Sequence, residues 1–308
     1  MNSHPCVSVG LPVYNGEAFL DVALKAILSQ TFTDFELIIS DNASTDRTEE
    51  ICRAYAAQDS RIRYERQPQN LGAAWNFNHV FQLARGQYFR WAAHDDLIAP
   101  TALERCVEQL DRDPSTVLCA SQVGCINWQG DTIPPKCDPR DRNLDSAQPS
   151  LRFQGILLQS FWCYEIFGLI RASALRKIGP MANHYGSDRA TLAALTLQGR
   201  FAEIPEILFM RRFHMKQSTS MGSAQEREQW HKGVTSQKKT PLLERQSISC
   251  LRAILQSDLN WGDRLQCLGV LRHYFVQPHN WQYFLRTWLH YKPARAAASP
   301  KTGTIALK

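Results

Sequence analysis

Long hydrophobic runs and targeting segments are missing from this sequence. No uninterrupted run of 18 or more apolar residues occurs among its 308 residues, so we predict no transmembrane helix. The chain starts Met-Asn-Ser-His-Pro-Cys and passes directly into a β-rich run, without a basic segment followed by an apolar one. We therefore expect no signal peptide and a cytoplasmic protein.

Paired cysteine motifs are missing as well. The nine cysteines are scattered along the chain without a C-x-x-C pair, and most of them lie within apolar runs. Such positions are typical of small buried residues. An odd, unpaired set indicates reduced thiols and disfavours a disulfide framework.

Two common nucleotide-binding motifs are also absent. No G-x-G-x-x-G follows the first predicted strand, which disfavours a dinucleotide-binding Rossmann domain. No G-x-x-x-x-G-K-[ST] occurs either, which disfavours a P-loop nucleotide site.

Charge is distributed unevenly along the chain. Residues 211–308 contain 16 Lys and Arg against 5 Asp and Glu, a net charge of +11, whereas the preceding residues contain 19 against 24, a net charge of −5. The basic part suits an anionic lipid surface at the inner membrane face, a lipid-diphosphate acceptor or nucleic acid. It also suits a chain that is merely kept in solution, and both interpretations remain open.

Strand and helix patterns alternate four times in the first 110 residues, which is typical of parallel βαβ units in a doubly wound sheet. Predicted strands cover 7–13, 35–40, 61–66 and a run that ends at residue 95, and predicted helices cover 17–30, 47–57, 73–84 and 101–110. We predict an α/β catalytic domain over 1–220, with a Rossmann-like, mostly parallel sheet flanked by helices. A helical extension over 221–308 would end in a disordered tail from residue 294.

The chain after residue 110 is less regular. We predict strands at 116–128, 167–171 and 201–210, and helices at 151–162, 172–178 and 187–198. The polar segment 129–150 shows no periodicity. It is interpreted either as a mobile loop that closes on a ligand or as a plain insertion.

The most informative segment runs from Tyr88 to Pro100, where an apolar, aromatic run ends in Asp95 and Asp96. Ligands of open α/β sheets bind at the carboxyl ends of the strands. Two carboxylates there suit a Mg²⁺ or Mn²⁺ ion that is shared with a substrate diphosphate. The alternative is a solvated turn that caps the following helix.

Six short motifs occur in an order and spacing that resembles the family 2 glycosyltransferases with a GT-A fold. The motifs are Pro12-Val13-Tyr14-Asn15, residues 40–46 (Ser-Asp-Asn-Ala-Ser-Thr-Asp), Asn70-Leu71-Gly72, Asp95-Asp96, Gly186-Ser187-Asp188 and Arg211-Arg212-Phe213-His214. The resemblance covers residues 7–220 and not the chain after them. It implies an inverting, nucleotide-sugar-dependent transferase of polysaccharide biosynthesis that is usually assisted by Mg²⁺ or Mn²⁺.

The resemblance also implies roles for single residues. The nucleotide would be held by Pro12, Tyr14, Asn15, Glu17, Asp41, Asn70, Gly72, Asn76 and Asp95. Within this set, Asp41 would accept a hydrogen bond from the base. The metal would be held by Asp95, Asp96 and His214, and Asp188 would be the general base.

Simple chemistry agrees with these implied roles. An inverting transfer needs one base for the acceptor hydroxyl proton and a cation that stabilises the leaving diphosphate. Structural alternatives stay open for Asp188 and His214. Asp188 is also suited to a helix N-cap, and His214 is also consistent with an ordinary surface histidine. Many relatives carry Asp-x-Asp-Asp where this chain has Ala93-His94-Asp95-Asp96, so the first acid is missing.

We therefore expect a transferase that uses a UDP-sugar and a glycan or lipid-linked acceptor, with no nucleic-acid partner. A sugar-phosphate nucleotidyltransferase is an alternative, weakened by the lack of a glycine-rich, arginine-containing loop after the first strand. A relative that binds nucleotide-sugars or glycans without turnover is a second alternative, and Ala93 is the feature that favours it.

Overall fold

A computed structural model describes residues 4–138, 141–184, 186–215, 217, 230–231, 242–278 and 281. Its strands are β1 (Val7–Val13), β2 (Phe35–Asp41), β3 (Ile62–Arg66), β4 (Tyr88–Trp91), β5 (Leu97–Ile98), β6 (Thr116–Ile126), β7 (Thr132–Ile133), β8 (Leu169–Arg171) and β9 (Arg200–Arg212). Its α-helices are α1 (Leu20–Leu28), α2 (Thr48–Ala56), α3 (Ala73–Gln82), α4 (Ala102–Arg112), α5 (Pro149–Gln154), α6 (Ala172–Ile178), α7 (Ser187–Thr196), α8 (Leu242–Gln256) and α9 (Trp261–Val276).

Within the described residues the strands form one nine-stranded sheet in the order β3-β2-β1-β4-β8-β6-β9-β5, with β7 paired to β6. The strands β1 to β4 run parallel to one another, and β8 enters antiparallel between β4 and β6. The order reverses beside β1, and the carboxyl ends of β1, β2 and β4 lie at one edge of the sheet. This confirms the predicted α/β architecture and places the predicted binding loops at one edge.

Hydrophobic packing covers both faces of this sheet. Alternate residues of β2 divide between the two cores: Leu37 and Ile39 pack with α1 and α4, while Ile38 packs with α3 and the later helices. Because both faces are covered, β1 and β2 are buried over their whole length, as expected for parallel strands.

Three of the predicted boundaries are wrong. The fourth strand ends at Trp91, so Asp95 and Asp96 lie in the connection to β5 and not at the last residues of a strand. The segment 129–150 contains β7, which pairs with β6 as a short hairpin. The helix predicted over 151–162 starts at Pro149 and changes to a π-turn at 155–159, which ends it three residues early.

The last described helices belong to the same core as the sheet. Buried side chains of α8 and α9, among them Cys250, Ile254 and Leu271, pack in the cluster formed with α5 and α7. The boundary predicted at residue 220 stays a prediction. The predicted tail from residue 294 and the aromatic residues Tyr283, Phe284 and Trp288 lie outside the described residues.

Candidate active site

The loops that follow β1 and β2 are fastened to each other by short polar contacts. The Asn15 side chain accepts a hydrogen bond from the Thr45 backbone N–H at 2.8 Å, and the Asn15 N–H donates to Ser44 Oγ at 2.9 Å. Glu17 accepts from the Arg47 N–H at 3.1 Å and donates its own N–H to Asp46 at 3.1 Å. The predicted nucleotide residues Asn15 and Glu17 therefore brace the two loops.

Asp41 ends β2 and is fully buried. Its carboxylate accepts hydrogen bonds from the Ser44 N–H at 2.8 Å and the Tyr64 hydroxyl at 2.9 Å, and the Arg66 Nε lies 3.4 Å away. Protein groups thus engage both carboxylate oxygens, and the base contact predicted for Asp41 stays a prediction.

Asn76 joins the ends of β1 and β2. Its buried side-chain amide donates to the Ser40 carbonyl at 2.9 Å and to the Val13 carbonyl at 3.4 Å, while its Oδ1 has no hydrogen-bond partner among the described residues. Asn70 and Gly72 form the turn in front of α3, where the Gly72 N–H donates to Asn70 Oδ1 at 2.9 Å. Gly72 has φ +88°, a conformation that glycine adopts at little cost.

Pro12 and Tyr14 differ in accessibility. Pro12 is buried in β1, where it lies opposite Ser40 of β2, and Tyr14 follows the strand with a side chain that is 38% exposed. Tyr14 is thus free of the core and lies at the edge where ligands of such sheets bind. The nucleotide-binding roles of both residues stay predictions.

A compact cluster of charges lies where β9 ends beside the connection between β4 and β5. Arg211 donates from Nη1 to both oxygens of Asp96, at 3.0 and 2.9 Å, and the Arg212 N–H donates to Asp96 Oδ1 at 2.8 Å. His214 Nε2 lies 2.8 Å from Asp95 Oδ2, and Arg212 Nε donates to the Asp95 carbonyl at 2.9 Å. Residues more than 110 positions apart in sequence thus form one cluster, which we call the acidic centre (Asp95, Asp96, Arg211, Arg212 and His214).

The environment separates the two carboxylates of the acidic centre. Burial is the largest influence on Asp96 and, together with the charge of Asp95, raises its pKa to about 6 against the opposing charge of Arg211. Burial also acts on Asp95, but the neighbouring His94, the hydrogen bond with His214 and the charge of Arg211 outweigh it and lower the pKa of this carboxyl. Asp95 is therefore the firmly ionised member of the pair.

The side chains of the acidic centre suit a divalent cation in part. Two carboxylates and an imidazole are suitable ligands for Mg²⁺ or Mn²⁺. In the described part of the chain, however, no three acidic, histidine or cysteine side chains are arranged to hold one metal ion. Arg211 contacts both oxygens of Asp96. The Asp95 carboxylate and the His214 imidazole are of types that fit such an ion, which would replace their mutual contact, whereas Asp96 would first have to leave Arg211.

Asp188 lies in the first turn of α7, after Gly186 with φ +78°. The Arg189 N–H donates to its Oδ1 at 2.8 Å. Burial raises the pKa of Asp188, while the Arg189 N–H, the Arg189 guanidinium and His184 act in the opposite direction. A carboxylate whose pKa is raised accepts protons more readily, as a general base requires.

Two adjacent residues, Cys163 and Tyr164, are influenced by the charges of Asp188 and of the acidic centre. Burial and the negative charge of Asp188 raise the pKa of the Cys163 thiol. The hydroxyl of the next residue, Tyr164, also has a raised pKa through burial, and it is under the influence of Arg211 and Asp96. The charge of Asp188 thus affects the pKa of Cys163, and the charges of the acidic centre affect the pKa of the next residue, Tyr164.

Sequence reasoning missed the role of the arginines and a second group of buried charges. Arg211 and Arg212 were part of a motif, but the pattern alone did not pair them with Asp96. Asp138 accepts the backbone N–H groups of residues 161, 162 and 163 at 2.5, 3.0 and 3.1 Å. No periodicity marks its segment, so its burial had no signal in the sequence.

A comparison with protein-family models decides the family. The model described as Glycosyl transferase family 2 matches residues 8–179, which is more than half of the chain. The chain belongs to this family. This confirms the resemblance that the six motifs indicated.

Curated relatives match over shorter segments. The chain is 33% identical over 112 residues to glycosyltransferase GlyG of Streptococcus pneumoniae serotype 4, which is 36% of this chain and 37% of that protein. It is 41% identical over 113 residues to the glycosyltransferase EpsE of Bacillus subtilis, which is 36% of this chain and 41% of that protein. The chain therefore spans less than half the length of these relatives.

Solved structures extend the likeness to most of the chain. The structure of Staphylococcus aureus TarS 1–349 in complex with UDP-GlcNAc aligns with a TM-score of 0.63 and 16% identity over 91% of this chain and 79% of that one. The mannosyltransferase PcManGT from Pyrobaculum calidifontis, in complex with GDP-Man and Mn²⁺, aligns with a TM-score of 0.53 and 16% identity over 93% and 85%. At these identities the likeness shows the fold, which is of GT-A type.

Among the helices of the described ranges, none combines the length and the apolar character that a bilayer crossing requires.

Proposed function

We propose that this protein transfers a sugar, with inversion, from a nucleotide-sugar to a glycan or lipid-linked acceptor, and that the donor is a UDP-sugar. The observation that carries the proposal is the acidic centre, in which Asp95 and Asp96 are held at the ligand-binding edge of a family 2 fold. TarS binds UDP-GlcNAc and PcManGT binds GDP-Man on related folds, which supports a nucleotide-sugar and leaves the nucleotide to be tested.

Asp188 is proposed as the base of this reaction. Its carboxylate removes the proton of the acceptor hydroxyl while the acceptor oxygen forms a bond to the anomeric carbon. The bond from that carbon to the diphosphate oxygen breaks, and the diphosphate leaves with the bonding electron pair. The raised pKa of Asp188 supports this role, because a carboxyl that burial disfavours as an anion accepts a proton more readily.

The acidic centre is proposed to bind the donor through its ribose and diphosphate. Asp95 and His214 would hold a Mg²⁺ or Mn²⁺ ion, joined by Asp96 if Arg211 moves away. Such an ion, when bound, would stabilise the leaving diphosphate. Arg211 and Arg212 add positive charge to the centre, and this charge would favour a bound diphosphate whether or not an ion is present.

Thermal unfolding with and without nucleotides is the first test. UDP, GDP and dTDP are added singly, each with and without Mn²⁺. Stabilisation by UDP that increases with Mn²⁺ would support both the donor and the metal, whereas a GDP-specific shift would replace UDP in the proposal. Stabilisation by none of the three would contradict the proposed donor site.

A second test separates metal from nucleotide. His214→Ala is expected to remove the Mn²⁺-dependent part of the UDP shift and to leave the Mn²⁺-independent part. His273→Ala serves as a matched control, because that histidine lies in the last turn of α9. If His214→Ala leaves the Mn²⁺ response unchanged, His214 is not a ligand.

A further inference from the structure

The helices α8 and α9 are apolar on two opposite sides. On the inner side of each helix, Cys250 and Ile254 of α8 and Cys267 and Leu271 of α9 are buried in the core. Residues half a turn away on each helix point out of this core. Six large apolar side chains lie there and are exposed, and we call them the outer face: Ile248, Leu251, Leu255, Trp261, Leu265 and Val276.

Exposed apolar side chains are concentrated on this face. Fourteen large hydrophobic side chains are exposed in the described part of the chain, and the outer face accounts for six of them within residues 248–276. Trp261 is 74% exposed and Leu265 is 64% exposed. Single exposed apolar residues are ordinary on a protein surface, whereas a group of them marks a contact with a partner or a membrane.

The exposed charges among these apolar residues are positive. Arg252 of α8 and Arg272 of α9 are exposed and lie on the same sides of their helices as the outer face. Two acidic residues occur between them in sequence, Asp258 and Asp263. Asp258 pairs with Lys177 of α6, and Asp263 lies in the first turn of α9 on its inner side. The outer face therefore combines apolar and positive groups.

From this combination we propose that the outer face docks on an anionic lipid surface. The apolar side chains enter the boundary between head groups and acyl chains, while Arg252 and Arg272 contact the lipid phosphates. Trp261 suits this boundary, because its ring is apolar and its N–H can bond to a head group. The helices lie on the bilayer and do not cross it. This inference does not rest on the proposed transfer reaction.

Two other occupants fit the charge of this face less well. A second copy of the chain in a twofold dimer would bring the same surfaces together, so the arginines of both copies would meet like charges. Residues 279–308 of this chain contain five Lys and Arg and no Asp or Glu, so they would add charge of the same sign. A bilayer with anionic head groups accepts the apolar and the positive side chains together.

Sedimentation of the full chain with lipid vesicles tests the proposal. Vesicles of equal parts phosphatidylglycerol and phosphatidylcholine are compared with vesicles of phosphatidylcholine alone, at low and at high salt. The chain should bind the mixed vesicles more tightly, and added salt should weaken this binding because it screens the charges. Equal binding to both kinds of vesicle, or binding to neither, would overturn the proposal.

Substitutions on the outer face locate the contact. Trp261→Ser and Leu265→Ser should each weaken vesicle binding by about 10-fold, in keeping with the loss of one buried apolar side chain. Arg272→Gln should weaken it by about 5-fold. Val22→Ser, at a 42% exposed position of α1, is the matched control and should bind as the wild type does. An equal loss in Val22→Ser, or none in the outer-face variants, would overturn the proposal.

Two measurements without vesicles complete the test. Leu265→Ser should keep the wild-type Tm, because the side chain is exposed, so a loss of vesicle binding would not come from unfolding. Analytical ultracentrifugation follows the oligomeric state of the chain alone. A wild-type dimer that Leu265→Ser converts to a monomer would show that a second copy covers the outer face, and would overturn the proposal.

The vesicle experiment contains no nucleotide, so its outcome is independent of the donor site. Leu265→Ser should also show the same UDP-induced thermal shift as the wild type. A normal UDP shift without vesicle binding would reject this inference alone, whereas vesicle binding without any nucleotide-induced shift would reject the proposed donor site alone.

Discussion

The first 112 residues and the segment from Thr116 to His214 meet at one edge of the sheet but are built differently. In the first region, parallel strands end in loops that polar side chains, both neutral ones such as Asn15 and carboxylates such as Glu17 and Asp41, fasten to backbone groups. In the second region, the strands are of mixed direction, and a π-turn at 155–159 and a 3₁₀-turn at Tyr164–Phe167 lie between them. Charged groups such as Asp138 and Arg142 are buried there.

This contrast indicates a division of labour. In the first region, side chains such as Asn15, Glu17 and Asp41 accept hydrogen bonds from backbone N–H groups of the neighbouring loops and hold these loops in shape, as we expect of a nucleotide-binding edge. The buried charges of the second region depend on their partners, and we expect them to govern proton transfer and acceptor choice. Substitutions in the first region should therefore affect stability and nucleotide binding, and those in the second region turnover and acceptor choice.

The largest effect is expected from Asp188→Asn in the second region. The substitution keeps the shape of the side chain but removes the proposed base, so kcat should fall by about 10³-fold. UDP binding should stay within about 2-fold, and the Tm should not fall, because the raised pKa shows that the fold disfavours the charged form. Steady-state kinetics and UDP titration measure these quantities.

Asp145→Asn is the matched control, because Asp145 is exposed on the surface. Its kinetics should equal those of the wild type. Normal turnover by Asp188→Asn would show that Asp188 is not the base, and loss of UDP binding would move Asp188 into the donor site.

The next largest effect concerns the contact that joins the two regions, between Arg211 and Asp96. Arg211→Gln leaves Asp96 buried without its cation, and we expect the free energy of unfolding to fall by about 3 kcal/mol. Arg105→Gln breaks an exposed pair with Glu206 at 2.8 Å and should cost less than about 1 kcal/mol. Chemical denaturation of both variants compares them, and equal losses would contradict the structural role of Arg211.

A smaller effect is expected from Asn76→Ala in the first region. The substitution removes the amide that joins the ends of β1 and β2, and the free energy of unfolding should fall by about 1–2 kcal/mol. UDP stabilisation should weaken while kcat at saturating donor stays unchanged. Gln82→Ala, on the exposed side of the same helix, should change neither quantity. If Asn76→Ala lowered kcat and left UDP stabilisation unchanged, the proposed division between nucleotide binding and turnover would be wrong.

The two regions also differ in how well the sequence predicts them. In the first region each strand ends in a turn signal and each helix shows regular apolar spacing, so β1 and α3 were predicted within two residues. Local rules place most of these elements, because β1, β2 and β3 pair with one another and pack on the helices between them; the end of β4 at Trp91 is the exception.

The second region depends on contacts between distant residues. The contact of Arg211 Nη1 with both oxygens of Asp96 joins residues 115 positions apart, and spacing along the chain carries no signal for such a pair. The π-turn after Gln154 and the left-handed backbone of Cys163 are set by tertiary packing and not by periodicity. The motif positions could be predicted, whereas the pairing of their charges required the fold.

The smallest expected effect is a shift of the acid limb of the pH–rate profile. Asp188 must be ionised to act as a base, so kcat falls as the pH drops through its pKa. Since burial raises that pKa above the ordinary value of 3.8, the decline should begin at a higher pH than for an exposed aspartate. Asp188→Glu should keep an acid limb, whereas the residual activity of Asp188→Asn should lose it. An unchanged limb in Asp188→Asn would assign the titration to another group, for which Asp96 in the acidic centre, with a pKa of about 6, is the first candidate.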